Sequence, residues 1–338
     1  MNNQPWPKTL LEYIWIDGYS TLRSKTKRVS FIKSVEQFDM DTMLWNYDGS
    51  STNQSQGKDS EVILKPVYIC MDPFRGKNDY LVLCEAFLPD GMPAKCNYRS
   101  KAKDIFDTYK ELEPMYGIEQ EFFISKNSKP IGILGSHMPE PQQDYYCGVG
   151  GDNAIGRMYV AKALENCIKA NLSITGMNAE VAPSQWEIQL CTIGIEAADQ
   201  LIIMRYIINR TLETFGLTMD LNPKPINGDW NGSGCHVNFS TKRMREEECY
   251  DYIMGSIKNL GSKHKESIKL YGDNKQRLTG EHETSHIDIF SWGVADRSAS
   301  VRIPRDTVKN KKGYFEDRRP SSNMDPYLVT SSLLKYIH

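Results

Sequence analysis

Carboxylate side chains recur at alternating positions within short apolar segments, and Glu119 and Glu121 are the clearest pair. In a β-strand these two side chains project to one face, while Ile118, Phe122 and Ile124 occupy the opposite face. Two neighbouring carboxylates repel each other unless a proton or a cation lies between them. The spacing therefore predicts a polar site that binds a cation.

Three further segments have the same alternation of polar and apolar residues, and each carries a potential metal ligand. Glu187 lies in one, His236 in the next and Glu316 in the last, while Glu180 lies seven residues before Glu187. Each segment alone is typical of an amphipathic strand with one hydrated face. If the polar faces converge, they supply five carboxylates and one imidazole. Oxygen donors with one nitrogen favour Mg²⁺ or Mn²⁺ over zinc, and the excess negative charge favours two ions.

Arginines are concentrated in one late part of the sequence. A solvated basic surface would explain them, and so would an anion site, because a guanidinium group forms paired hydrogen bonds with carboxylate or phosphate. An acidic metal site with an arginine cluster is typical of phosphoryl transfer, in which cations bridge phosphates and arginines neutralise developing charge. The clustered arginines are Arg297, Arg302, Arg305, Arg318 and Arg319.

The composition limits the classes of protein to which the chain can belong. The chain has 338 residues, of which 40% are hydrophobic and 25% charged, and its formal net charge is −2. These values are typical of a globular protein and give no basic field for nucleic acid. No run of about 18 apolar residues is present, and the start has no secretory pattern. We therefore expect a cytoplasmic protein of two domains, with no nucleic-acid or membrane partner.

Residues up to about 95 have the pattern of a β-rich domain. Asp17 and Gly18 are a hairpin turn signal, so the segment after them should be a return strand. The segment 48–60 is polar, and its composition alone predicts a solvated loop. Hydrophobic runs predict strands over Val29–Ile32, Glu61–Met71 and Tyr80–Leu88.

Beyond about residue 101, helical and strand patterns alternate irregularly, which favours an α+β fold over regular βαβ order. The phosphate-binding loop motif is absent, since Gly57 and Lys58 are followed by Asp59. The predicted helices are Ala102–Leu112, one from Asp152 to about Ala170, Glu196–Phe215, and one from Ser240 or Thr241 to about His264.

Taken together, nine segments resemble the glutamine synthetase family, specifically its eukaryotic type. They are long, non-repetitive and in order, so the resemblance extends from near the start of the chain to about residue 325. The segments are YIWIDG (13–18), WNYDGSST (45–52), GIEQE (117–121), PQQDYYCGVG (141–150), NAEVAPSQWE (178–187), PKPINGDWNGSGCHVNFS (223–240), RLTGEHETS (277–285), RSASVRIPR (297–305) and KKGYFEDRRPSSNMDP (311–326).

The resemblance implies an α+β fold in two domains. Residues 1–95 would form a small N-terminal β-grasp domain. Residues 96–338 would form a larger catalytic domain of the ATP-guanido-kinase-like type, with a curved antiparallel sheet flanked by helices. The resemblance also implies a homo-oligomer, a decamer of two pentameric rings, in which a neighbouring subunit completes each active site.

The resemblance further implies a reaction. ATP would phosphorylate the γ-carboxylate of L-glutamate, and ammonia would displace phosphate from γ-glutamyl phosphate to give L-glutamine. Two or more Mg²⁺ or Mn²⁺ ions would take part in each site. By resemblance, one ion is held by Glu121, Glu180 and Glu187, and another by Glu119, His236 and Glu316.

The same resemblance assigns the remaining site residues. Asp48, supplied by a neighbouring subunit, resembles the acid that binds ammonium. Glu283 resembles the acid that shields the intermediate from water and takes a proton from ammonium, and Arg297 and Arg302 resemble catalytic arginines at the phosphates. The ATP site would comprise Glu119, Glu187, Ile188, Gln189, Leu190, Cys191, Asn238, Phe239, Ser240, Arg297, Arg302, Tyr314, Phe315 and Glu316. The glutamate site would comprise Asp229, Trp230, Asn231, Gly232, Arg277, Arg297 and Arg318.

Two alternative functions are compatible with the same fold. One is a γ-glutamyl ligase that uses a polyamine or another amine, and the other is a non-catalytic structural relative. Asp48 and Glu283 favour a small cation such as ammonium over a larger amine. The metal carboxylates and the substrate arginines are all present in the sequence, which argues against a purely structural role.

Overall fold

The computed structural model describes residues 8–134, 139–141, 145–282 and 284–338. The chain divides into two compact units. The first comprises Met1–Lys101 with Asn166–Leu172, and the second comprises Ala102–Glu165 with Ser173–His338. Within the described ranges, no helix combines the length and the apolar character that crossing a bilayer requires.

The first unit contains one mixed five-stranded sheet. Its strands are β1 (Lys8–Ile16), β2 (Leu22–Ser30), β3 (Trp45–Asp48), β4 (Glu61–Met71) and β5 (Tyr80–Phe87). The order across the sheet is β2-β1-β5-β4-β3. β1 and β2 form an antiparallel hairpin, whereas β1 and β5 run parallel at the centre. Buried side chains of β1, β4 and β5 form the core of this unit.

The hairpin turn signal at Asp17 and Gly18 is confirmed, but the return strand has different bounds. It was expected over Val29–Ile32 and spans Leu22–Ser30 instead. β2 pairs only with β1 and is therefore an edge strand. Its lysines, arginines and serines reach solvent, as is common for edge strands. The segment therefore has no apolar run from which its bounds could be predicted.

The polar segment 48–60 is not the freely solvated loop that its composition predicts. The backbone N–H of Gly49 donates to the carbonyl oxygen of Ser60 at 2.7 Å. Gln54 is buried, and its side-chain amide donates to the carbonyl oxygen of Ile16 at 3.1 Å. These hydrogen bonds give the segment a defined conformation.

The described residues of the second unit form nine strands in one sheet. They are β6 (Met115–Lys126), β7 (Lys129–Pro130), β8 (Ile174–Ala179), β9 (Gln185–Ile193), β10 (Thr218–Asp220), β11 (Cys235–Ser240), β12 (Trp292–Val294), β13 (Val301–Ile303) and β14 (Phe315–Asp317). The main order is β12-β13-β14-β11-β6-β9-β8, and β7 and β10 also pair with β6. Each described strand pair in this sheet is antiparallel except β12 with β13.

The predicted alternation along the central strand β6 is confirmed. Ile118, Phe122 and Ile124 are fully buried on one side of the sheet. Trp186 and Ile188 of the neighbouring strand β9 are fully buried as well. An apolar face of this kind must be covered, and a long helix packs against it. The opposite face is left to the polar side chains.

The helices include that long helix, α3, which packs on β6, β9 and β10 and was predicted nearly in full. The α-helices are α1 (Tyr98–Thr108), α2 (Arg157–Lys169), α3 (Glu196–Glu213), α4 (Lys242–Glu246), α5 (Tyr250–Ser262), α6 (His264–Ile268), α7 (Arg305–Asn310) and α8 (Pro326–Tyr336). Short 3₁₀ turns lie at Val35–Gln37, Gly49–Thr52, Lys110–Leu112 and Ile131–Ile133.

Several predicted helix bounds were wrong. The helix expected over Ala102–Leu112 is α1, which begins four residues earlier. α2 does not begin near Asp152, because Gly156 just before it has φ +87°, a left-handed conformation outside the helical range.

The single helix expected from Ser240 or Thr241 to about His264 is divided into α4 and α5, and α6 begins at His264. Thr241 does cap the first, α4, by accepting a hydrogen bond from the backbone N–H of Met244 at 3.3 Å. α4 ends at Glu246, because the backbone of Glu247 after it is extended.

One ion pair is enclosed in the interior of the second unit. Asp317 and Arg319 are both 0% exposed, and the guanidinium contacts both carboxylate oxygens at 2.7 and 2.8 Å. The hydroxyl of Tyr271 donates to Asp317 at 3.0 Å. The Arg319 guanidinium also lies 5.1 Å from the ring centroids of Tyr271 and Phe290. The pair is therefore fully desolvated and fully partnered.

We expect Asp317→Ala to lower the free energy of unfolding by about 3–5 kcal/mol, because it leaves the Arg319 charge buried and uncompensated. Asp107→Ala is the matched control, since it breaks an exposed pair with Lys103 and should cost less than about 1 kcal/mol. Urea unfolding followed by circular dichroism measures both. Equal losses in the two variants would contradict the assignment.

Candidate active site

The polar faces of the strands meet in a cavity of about 270 Å³ in the second unit. Among the described residues, five carboxylates, two histidines and four arginines line it, together with several amide side chains. The lining residues are Glu119, Glu121, Tyr146, Asn178, Glu180, Gln185, Glu187, Gln189, Asn231, Gly232, His236, Arg277, His282, Thr284, Arg297, Arg302, Glu316 and Arg318.

Strand register brings the carboxylates together. Glu121 of β6 lies directly opposite Glu187 of β9, and Glu119 of β6 lies opposite His236 of β11. Directly opposite side chains in an antiparallel pair have Cβ atoms about 4.5–5.5 Å apart. Glu316 is on β14, the next strand beyond β11. Four adjacent strands thus present their acidic and imidazole groups to one volume.

Glu119, His236 and Glu316 form a group with metal-ligand geometry, since one ligand atom of each lies within 4.8 Å of the others. The Nδ1 atom of His236 is 3.6 Å from Glu119 and 3.5 Å from Glu316. Burial, followed by the charge of Arg318, holds the pKa of His236 well below its ordinary value. The imidazole is therefore neutral and keeps a lone pair for a cation.

Glu121, Glu180 and Glu187 form a second acidic group. Burial, reinforced by repulsion from neighbouring carboxylates, raises the pKa of each to about 8. Near neutral pH these groups therefore hold protons unless a cation replaces them. Carboxylate oxygens are the donors that a hard divalent cation prefers. Among the described residues, however, only Glu119, His236 and Glu316 have their ligand atoms within 4.8 Å of one another.

Arginines that line the cavity also donate hydrogen bonds to neighbouring groups of the protein. Arg318 donates to one oxygen of Glu316 at 2.5 Å, and Arg302 donates to the other oxygen at 3.2 Å. Arg277 is buried, and burial lowers its pKa to about 10. Its Nη2 donates to the carbonyl oxygens of residues 318, 319 and 320. The arginines therefore offer oriented positive charge to an anion.

The residues predicted to bind glutamate fall into two groups. Asn231 and Gly232 line the cavity together with Arg277, Arg297 and Arg318. Trp230 does not; it is 2% exposed and packs in a small core cluster with Phe123. The Asp229 side chain is mostly exposed and lies 3.4 Å from Nε2 of His282.

The residues predicted to bind ATP are also divided. Asn238 donates to Glu119 at 2.7 Å, and Tyr314 is about half exposed. Phe239 and Phe315 are fully buried, with ring centroids 5.6 Å apart, and Ile188, Leu190, Cys191 and Ser240 do not line the cavity either. Their contact with nucleotide stays a prediction. Those that line the cavity are Glu119, Glu187, Gln189, Arg297, Arg302 and Glu316.

Of the two acids assigned to ammonium, one lies in the first unit and the other is not among the described residues. Asp48 belongs to the first unit, where it ends β3. Hydrogen bonds, first from Ser50 and then from Ser60 and Ser51, lower its pKa to about 2. Asp48 is therefore anionic at any pH near neutral. Glu283 lies outside the described residues.

Sequence reasoning did not single out some of the residues that line the cavity. Gln185 has the same strand phase as Glu187, and Asn178 lies two positions before Glu180, so the alternation already pointed to both. Tyr146, His282 and Thr284 come from irregular segments, where no periodicity gives the direction of a side chain.

Two family models match the chain. The model described as "Glutamine synthetase, beta-Grasp domain" matches residues 8–89, and the model described as "Glutamine synthetase, catalytic domain" matches residues 97–256. The expected α+β fold with an N-terminal β-grasp domain is thereby confirmed.

Curated relatives match over almost the whole chain. It is 52% identical to "Glutamine synthetase cytosolic isozyme 1-5" of Arabidopsis thaliana, with 96% of this chain and 94% of that protein covered. It is 49% identical to "Glutamine synthetase PR-1" of Phaseolus vulgaris, with 96% and 93% covered. It is also 49% identical to "Glutamine synthetase, chloroplastic" of Daucus carota, with 96% and 76% covered.

A solved structure supports the fold. The cryo-electron microscopy structure of Plasmodium falciparum glutamine synthetase superposes with a TM-score of 0.75 at 19% identity. The match covers 97% of this chain and 71% of that one. The two family models and the near-complete matches to curated relatives lead to one conclusion: the chain belongs to the glutamine synthetase family.

Proposed function

We propose that the chain catalyses the ATP-dependent ligation of ammonia to L-glutamate through γ-glutamyl phosphate, giving L-glutamine, ADP and phosphate. One observation carries this function beyond family membership. Five carboxylates, a neutral imidazole and four arginines surround a single cavity. That combination suits the transfer of a phosphoryl group from a nucleotide to an anionic acceptor.

The arginines meet the main electrostatic demand of this reaction. A free carboxylate is a poor electrophile, and phosphorylation supplies a leaving group that ammonia can displace. Both ATP and glutamate are anions, so they repel each other and the acidic wall. In the proposal, Arg297 and Arg302 neutralise the phosphates, while Arg277 and Arg318 bind the substrate carboxylates.

The two acidic groups would each hold a Mg²⁺ or Mn²⁺ ion. Glu121, Glu180 and Glu187 would bind one ion. Glu119, His236 and Glu316 would bind the second. A bound divalent cation supplies positive charge that stabilises phosphate oxygens during transfer. These side chains would hold the ion in their deprotonated form before the substrates bind.

Asp48 would bind ammonium in this mechanism. Its carboxylate stays ionised because serines donate hydrogen bonds to it. An ionised carboxylate attracts a small cation such as ammonium, which must lose a proton before it can attack. Glu283 is proposed to accept that proton and to keep water from the intermediate.

The proposal extends to domain organisation, assembly and location. We assign residues 1–95 to the β-grasp domain and 96–338 to the catalytic domain; the two family models are separated at residues 90–96, which supports this boundary. Family membership supports a decamer of two pentameric rings with active sites between subunits. A relative named as a cytosolic isozyme supports a cytoplasmic location, although other relatives are named as chloroplastic.

The purified protein should form glutamine and release phosphate when it is given glutamate, ATP, Mg²⁺ and ammonium. Replacing ammonium with putrescine should reduce phosphate release to background, because a site for a small cation does not accommodate a diamine. Phosphate release with putrescine alone would instead identify a γ-glutamyl polyamine ligase. No release with either amine would indicate a structural relative.

Asp48→Ala should keep ATP binding and lose ammonium-dependent turnover by roughly 10²-fold or more, the scale of a lost acid–base or charge contribution. Nucleotide binding and glutamine formation are measured on the same preparation. Asp41→Ala, which removes another exposed carboxylate of the first unit, is the matched control and should be neutral. Unchanged turnover in Asp48→Ala would exclude the ammonium role.

The raised carboxyl pKa values predict a pH-dependent stability. Glu121, Glu180 and Glu187 hold protons up to about pH 8 when folded and only up to about pH 4.5 when unfolded. Without cation, the free energy of unfolding should therefore fall as pH rises between those values and level off above pH 8.

This fall is measured by urea unfolding at pH 5–9 in EDTA and again in Mg²⁺. Mg²⁺ should flatten the decline, because the cation replaces the protons. Glu121→Gln should also make the decline in EDTA shallower by removing one titrating group. Identical slopes in EDTA and Mg²⁺ would contradict cation binding by these residues.

A further inference from the structure

Side-chain amides hold most of the carboxylates in the cavity. Four of its five glutamates each accept a hydrogen bond from an asparagine or glutamine. The pairs are Glu119 with Asn238 at 2.7 Å, Glu121 with Gln185 at 3.1 Å, Glu180 with Asn178 at 2.9 Å, and Glu187 with Gln189 at 2.5 Å.

Gln185 is the most constrained of these amides. It is 1% exposed. Its Nε2 donates to Glu121, to the carbonyl oxygen of Gly232 at 3.2 Å and to the hydroxyl of Ser233 at 3.1 Å. Its Oε1 accepts from the backbone N–H of Ala182 at 3.1 Å. Because Ala182 occupies the amide oxygen, the amide nitrogen is the end that faces Glu121.

The consequence for Glu121 is a fixed carboxylate. Its Oε2 accepts from Gln185 and also from the backbone N–H of Gly234 at 2.8 Å. Its Oε1 is 3.9 Å from Nδ1 of His236, which belongs to the group of three potential metal ligands. Gln185 thus determines which oxygen faces the cavity.

Asn178 acts in the same way on Glu180. Its Nδ2 donates to Oε1 at 2.9 Å, while the backbone N–H of Val181 donates to Oε2 at 3.2 Å. Asn178 is on β8, directly opposite Glu187, so the sheet itself fixes its position. Both oxygens of Glu180 therefore have a defined direction.

The choice of amides has an electrostatic reason. An arginine or lysine in these positions would orient the carboxylates, but it would also cancel their charge and compete with a cation. A neutral amide orients the oxygens without adding a positive charge that would compete with the cation. Glu316 shows the contrast, because Arg302 and Arg318 contact it instead.

We propose that Gln185 and Asn178 are positioning residues of the cation site, each fixing one carboxylate so that its oxygens are arranged for a divalent ion before the ion binds. This inference rests on the proposed function, since it presumes that Glu121 and Glu180 bind a divalent cation. The benefit of such an arrangement is that less ordering is needed when the ion arrives.

The test is Mn²⁺ binding to the nucleotide-free protein, followed by electron paramagnetic resonance and by calorimetry. Gln185→Met and Asn178→Ala should each weaken Mn²⁺ affinity by about 10–100-fold, the usual effect of removing a group that orients a ligand. Saturating Mn²⁺ should then restore much of the lost turnover, because the ligands themselves are intact.

Gln200→Met is the matched control. Gln200 is also buried and hydrogen-bonded, to Ser173 and Glu196, but it lies on α3 and does not line the cavity. Its substitution should leave Mn²⁺ affinity within about twofold of the wild type while costing a similar number of hydrogen bonds. The urea concentration at the midpoint of unfolding, measured for every variant, shows whether a loss of Mn²⁺ affinity comes from a loss of folding.

Three outcomes decide the matter. Affinities within about twofold of wild type in both Gln185→Met and Asn178→Ala would overturn the inference while leaving the cation site intact. An equal loss in Gln200→Met would overturn it too, because the effect would then be general destabilisation. If the wild type binds no Mn²⁺, the proposed function fails first. Should Gln185→Met not fold, Asn178→Ala, at a partly exposed position, carries the test alone.

Discussion

Repulsion between carboxylates enclosed in one cavity is the constraint on which the catalytic unit depends. Glu121, Glu180 and Glu187 are buried, and each is close enough to another carboxylate to raise its pKa. Only a rigid support can hold such groups together before a cation arrives. The support is the antiparallel sheet, whose other face is apolar and covered by α3. The energy gained by burying that face offsets the cost of crowding acids on this one.

Much of the architecture could be predicted from the sequence, where a single physical signal was strong. The alternation around Glu119 and the apolar surface of α3 gave the correct elements because burial imposes both patterns. β2 was misplaced because an edge strand keeps polar side chains on both faces. The start of α2 was misplaced because the conformation of Gly156 follows from tertiary contacts, and an alanine Cβ there would meet Ile124 at 2.4 Å.

The site was predictable in its charged groups and less so in its neutral ones. Acidic residues in strands are unusual enough to be noticed one by one, whereas Gln185 and Asn178 are ordinary polar residues. Their importance comes from the carboxylates that they contact in the fold, Glu121 for Gln185 and Glu180 for Asn178. Phe239 and Phe315 illustrate the opposite case. The resemblance assigns both to the nucleotide site, which stays a prediction, and strand alternation places their rings in the core.

The pairing order of the sheet has a consequence for biosynthesis. Glu119 and Glu316 are 316 − 119 = 197 positions apart, and they meet only because β11 lies between β6 and β14. A nascent chain that ends before β14 has four of the five described glutamates of the cavity but lacks Glu316. The group formed by Glu119, His236 and Glu316 is therefore complete only after the last strand of the sheet has been synthesised.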